Sequence, residues 1–99
     1  MEREIVMDRL LRSEKNIAGP TLEDLLIQLR SDMFHRCDVI ATDTRTEALH
    51  VMNNNVKILS HISEALELAR DSTRILDRAF GPSQSQQGGP PRIGKPEAA

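Results

Sequence analysis

Aromatic residues are almost missing from this chain: Phe34 and Phe80 are the only two, with no tryptophan and no tyrosine. Without aromatic side chains interleaved among bases, the pattern of a nucleic-acid-binding surface is lacking. Cysteine is nearly missing too. Cys37 stands alone, which excludes an internal disulfide framework and points to an intracellular compartment, cytoplasmic or nuclear. No excess of either charge exists. Thirteen Lys and Arg against 15 Asp and Glu give a net charge of −2, so no global field draws the chain to nucleic acid or to an anionic membrane. No apolar run approaches the roughly 20 residues of a membrane helix. The start, Met1-Glu2-Arg3-Glu4, lacks the apolar region of a secretory signal. Hydrophobic residues make up 38% of the 99, below the roughly 45–50% of a typical globular domain. These limits fit one small domain at most, or one protomer of something larger.

Glycine and proline are scarce until residue 81. The first 80 residues hold only the adjacent Gly19-Pro20, whereas residues 81–99 hold four of the five glycines and four of the five prolines. The segment 81–99 also carries the Ser-Gln run Ser83–Gln87, and its only large apolar residue is Ile93. Such a composition predicts a disordered, solubilising tail. Residues 1–80 read as helical throughout.

Three helices are expected. The first runs from Glu2 to about Asn16, with Ile5, Val6, Leu10 and Leu11 apolar, and Gly19-Pro20 stops it. The second runs from Leu22 to about Ala41, with Thr21 as its N-cap and Glu23 and Asp24 in its first turn. Its stripe is Leu22, Leu25, Leu26, Leu29, Met33, Cys37 and Ile40. A break follows at Thr42–Thr46, where Thr44 and Glu47 fit a capping box and Asp43 is an alternative cap. The third helix carries the strongest pattern. Ala48, Met52, Asn55, Leu59, Ile62, Leu66, Ala69, Thr73, Leu76 and Phe80 recur at alternating intervals of four and three, a heptad seam. Val51, Ile58, Ala65 and Ala79 flank this seam on one side, and Leu49 and Val56 on the other. The apolar face is therefore wider than a two-stranded seam needs. The expected fold is all-α: an elongated helical hairpin or three-helix bundle over residues 1–80, with a long coiled-coil-like last helix and the tail.

Helix lengths then imply a partner. The last helix, at about 37 residues, would be roughly 55 Å long, against about 30 Å and 22 Å for the others. Folded back as hairpins, the first two cover only half of it. Leu59, Ile62, Leu66, Ala69, Leu76 and Phe80 are accordingly expected to meet another chain, while Leu22, Leu25, Leu26, Leu29 and Met33 pack within the protomer. Asn55, a polar residue on the seam, is a candidate for setting register. The alternative for Asn53-Asn54-Asn55 is a local kink.

No catalytic, cofactor or metal site is expected. Glu47 with His50, and His61 with Glu64, have a spacing seen in carboxylate metal bundles, but their heptad positions face solvent. Cys37 lies on the apolar stripe with no histidine one turn away, unlike an activated thiol. Arg70, Arg74 and Arg78 form a ladder near the end of the last helix, suited to the helix dipole and to intrahelical acids. Pro90-Pro91-Arg92 and Lys95-Pro96 do not complete a proline-rich docking motif. The functional expectation is a non-enzymatic structural or adaptor subunit, supplying helices to a homo- or hetero-oligomeric protein complex. Its rival is a small helical chaperone, with Met7, Met33 and Met52 lending an adaptable groove.

Overall fold

The structure is a computed structural model that describes residues 9–95. Two α-helices dominate it, α1 (Leu22–Ile40) and α2 (Thr46–Phe80), and one turn of 3-10 helix follows at Ser85–Gln87. No strand occurs among the described residues. The chain divides into two compact units. One is Glu23–Asp71; the other combines Met1–Leu22 with Ser72–Ala99.

The unit Glu23–Asp71 is a helical hairpin. The α1 helix starts directly after Gly19-Pro20 and Thr21, with Glu23 and Asp24 in its first turn where carboxylates complement the helix dipole. It ends at Ile40. Two turn hydrogen bonds reverse the chain there, from the Ala41 N–H to the Asp38 carbonyl (3.2 Å) and from the Asp43 N–H to the Ile40 carbonyl (3.0 Å). The break expected at Thr42–Thr46 is therefore present. Neither Thr44 nor Asp43 takes the N-cap position expected of it: Arg45 does, its carbonyl accepting the first helical hydrogen bond, from Leu49, at 3.0 Å, while an Asp43 carboxylate oxygen accepts the Arg45 N–H at 3.1 Å in the turn before the helix. The Arg45 guanidinium closes back on the same carboxylate. These bonds hold the Asp43 carboxyl below its ordinary value, the side-chain bond from Arg45 contributing most.

The seam of α2 faces inward. Asn55, Leu66 and Ala69 are its buried residues. Ala48, Met52, Leu59, Ile62, Thr73 and Leu76 are half-buried, and only Phe80 at the end is exposed. On α1 no residue is fully buried. Leu26, Arg30, Met33, Cys37 and Ile40 are half-buried at intervals of four and three, with Leu25 beside them. Leu22 and Leu29 are exposed at 44% and 45%, which corrects their assignment to the internal stripe. Seven positions were too many for a helix with one neighbour, and those at the edge of the stripe turn outward.

The first expected helix is not formed where the chain is described. Residues 9–16 are non-helical, and Ser13 and Asn16 exchange both backbone hydrogen bonds across a tight turn. The Asn16 side-chain amide donates to the carbonyls of Arg9, Leu10 and Leu11 at 3.0–3.2 Å. Those carbonyls would otherwise serve a helix, so a competing side-chain bond replaces it. Ile5 and Val6 lie outside the described residues. The architecture is thus a two-helix hairpin, and a three-helix bundle is not formed among the described residues.

The segment after α2 makes specific bonds to the end of that helix. Gly81 adopts φ +81 and its N–H caps α2 on the Asp77 carbonyl at 2.9 Å, a left-handed stop that favours glycine. Arg92 then reaches back to the Asp77 carboxylate and to the Gly81 carbonyl. Residues 82–95 thus carry a turn tied to the end of α2 through Arg92.

Candidate functional site

Two regions concentrate chemistry: the flanks of the hairpin and a pocket beside the end of α2. Each belongs to a single unit.

On the hairpin, the helices meet along their half-buried stripes and leave apolar residues on both sides of the contact. Val51 and Ile58 are 47% and 42% exposed; Leu49 and Val56 are 56% and 54% exposed. On α1, Leu29 lies on one side of the inner stripe, and Ile27 and Phe34 on the other, all exposed. The half-buried α1 register places Arg36 one heptad beyond Leu29, and Arg36 shares a shallow pocket of about 270 Å³ with Val51, Val39, Ile40 and Asn55. Leu29 and Arg36 of α1 therefore share a side with Val51 and Ile58 of α2.

Asn55 borders this pocket and is 9% exposed. Among the described residues nothing hydrogen-bonds its side-chain amide, whereas the great majority of buried polar groups are paired. Asn53 and Asn54 are exposed, and α2 passes through all three without interruption. Arg30, half-buried on the inner stripe of α1, is a second polar intrusion that the sequence reading missed. The signal was available: Arg30 lies four residues after Leu26 and three before Met33.

The residues expected to meet a partner are distributed unevenly. Leu66 is 1% exposed and Ala69 8% exposed within the chain itself, so their assignment to a free interface is corrected. The 19-residue α1 is about 28 Å long, enough to run beside α2 from its start to about residue 65. Leu59, Ile62 and Leu76 are half-buried, and Phe80 is 58% exposed. Leu76 lies in the second unit, where residues 12–14 and the segment after α2 line a pocket with it. Within that unit the non-helical start and the tail therefore stand beside Leu76, a neighbour that helix arithmetic did not provide.

Among the expected intrachain residues, Leu25, Leu26 and Met33 are half-buried. Met33 and Met52 both sit on inner stripes rather than in an open groove; Met7 lies outside the described residues. His50, Glu47 and His61 are exposed, and the His61 Nδ1 stands 3.7 Å from the Glu64 carboxylate. Among the described residues no group of three or more His, Cys, Asp or Glu side chains is placed to hold a metal ion. Cys37 is half-buried as a free thiol. Among the described residues no helix is long and apolar enough to cross a membrane.

The second region is a pocket of about 290 Å³ between residues 12–14, Leu76 and the segment 83–95. Arg12 enters it from the N-terminal segment, its Nε donating to the Gly19 carbonyl at 3.1 Å. Arg92 and Lys95 enter from the tail. The chain matches no protein-family model, no curated protein and no solved structure.

Proposed function

We propose that the chain is a non-enzymatic helical subunit of an intracellular protein complex. Its hairpin would be contributed to a homo- or hetero-oligomeric assembly as scaffold or adaptor. One observation carries this reading: a two-helix unit with apolar side chains exposed on both flanks of its helix contact. Leu49, Val51, Val56 and Ile58 are all more than 40% exposed, although each stands one position from the seam. Covering a large aliphatic side chain contributes about 1.5–3 kcal/mol. A hairpin with only three buried residues is marginal by itself, since helices gain most of their stability from tertiary packing. Packing these flanks against further helices supplies what the hairpin lacks.

Sedimentation of the full chain at low micromolar concentration, alone and with its source extract, tests this. The expected result is a defined assembly above the monomer that persists in high salt. Val51→Asp with Ile58→Asp is expected to dissolve it while circular dichroism stays helical, because both side chains lie outside the seam. A stable, compact monomer with no stoichiometric partner would overturn the reading.

A further inference from the structure

The pocket beside the end of α2 collects positive charge in a chain whose net charge is negative. Among the described residues, Arg12, Arg92 and Lys95 line it with one carboxylate, Glu14, while the Asp77 carboxylate outside the lining pairs with Arg92. Hydroxyls of Ser13, Ser83 and Ser85 share the lining. Nothing in the hairpin reading requires this concentration.

The two guanidiniums are held in place. Arg92 is 17% exposed and donates through Nη1 to the Asp77 carboxylate and, at 2.9 Å, to the Gly81 carbonyl. Its other N–H groups make no bond among the described residues. Arg12 commits only its Nε, to Gly19, leaving its terminal N–H groups without a partner among the described residues. Lys95 likewise has none. Fixed guanidinium forks with free donors are well matched to a tetrahedral oxyanion, because several N–H groups can reach its oxygens together. Having been positioned beforehand, they lose little freedom on binding. Ser83 and Ser85 are hydrogen-bonded to each other, Oγ to Oγ at 3.0 Å, and can turn their donors to the same anion.

The rest of the lining is apolar, with Leu76, Pro91 and Ile93 facing the same space. A volume of about 290 Å³ exceeds that of an oxyanion alone, yet falls at the lower end of small-ligand clefts. We propose that this pocket binds a small phosphate monoester. Its dianionic head would sit among Arg12, Arg92 and Lys95, and a compact apolar body would lie against Leu76, Pro91 and Ile93.

Amide chemical shifts of the isotopically labelled full chain, titrated with phenyl phosphate at constant ionic strength, test the proposal. Inorganic phosphate and sodium chloride serve as separate titrants. Saturable shifts are expected at Ser83, Ser85 and Gly89, with phenyl phosphate binding several-fold tighter than phosphate. Lys95→Gln, which breaks no bond among the described residues, is expected to weaken phenyl phosphate about tenfold, as loss of one charge-assisted contact does. Ile93→Ser should weaken the ester but not phosphate. Shifts that follow chloride, equal affinity for phosphate and its ester, or an unchanged titration in Lys95→Gln would each overturn the proposal.

Discussion

Asn55 shows how much one side chain can decide in a hairpin this thin. A buried amide without a hydrogen bond costs about 1–3 kcal/mol in desolvation, and Asn55 is 9% exposed with no partner for that group among the described residues. The neighbouring pocket leaves room for a larger apolar residue. Asn55→Leu is therefore expected to stabilise the hairpin by about 1 kcal/mol in urea denaturation. It should also broaden the distribution of assemblies seen by sedimentation, since a polar seam residue penalises wrong registers. A loss of stability would show that the amide has a partner such as water. Asp43 makes a second, pH-dependent case. Its folded-state carboxyl is held below the ordinary value, first by the Arg45 side chain and then by the Arg45 N–H. The stabilisation is thus complete above the unfolded carboxylate value near pH 4. It fades as pH falls through the lower, folded value. Thermal melts from pH 6 to pH 2 should show Asp43→Ala less stable than wild type at pH 6 and converging with it in acid. Asp43→Asn should fall between them at pH 6, keeping an oxygen for the Arg45 N–H while losing the charge.

The segments around the hairpin show why helical composition misleads over short stretches. Residues 9–16 contain good helix formers, but a short helix forms only marginally without packing. Here the Asn16 amide gathers three carbonyls. No periodicity in the sequence encodes a side chain that reaches back five to seven residues. Gly19 completes the arrangement. It is buried, and a Cβ placed there would stand 2.8 Å from the Leu10 carbonyl oxygen and collide with the Asn16 side chain. The sequence marked Gly19 as a turn residue, and the structure shows that close approach is the stronger demand. Gly19→Ala is expected to cost about 1–3 kcal/mol of stability in the unit it belongs to. Asn16→Asp, which removes the donor, should lower amide exchange protection over residues 9–20 while leaving α1 protected. Protection unchanged in Asn16→Asp would mean that the turn at Ser13–Asn16 holds without the clamp. At the other end, the composition of residues 81–95 hid two specific bonds, those from Arg92 to Asp77 and Gly81. Arg92→Ala should therefore increase exchange in the last turn of α2, with little effect at Ala48–Leu59.

Helical periodicity was legible because it repeats. The seam from Ala48 to Leu76 appears as the least exposed stripe of α2, and the Gly19-Pro20 and Thr42–Thr46 breaks bound α1. The number of neighbours each face has was not legible, since heptads give direction but not cover. That gap explains why Leu66 was expected to meet a partner when it is the most buried large side chain among the described residues, at 1%. It also changes how association is tested. An aspartate at Leu66 would unfold the hairpin whether or not a partner exists, because it places a charge in the protomer's own core. Intrachain and interchain packing separate instead by mass action. Leu66→Ala is expected to cost about 2–5 kcal/mol, with the same difference from wild type across a hundredfold range of protein concentration. Val51→Asp with Ile58→Asp should behave otherwise. Near-wild-type melting is expected in dilute solution, where the monomer dominates, with a deficit that grows as concentration rises and only the wild type gains from association. Melting temperatures of the three proteins against concentration give the answer directly. Parallel curves for the flank variant and wild type would mean that Val51 and Ile58 meet no second copy, and the hairpin's partner would then have to be a different chain.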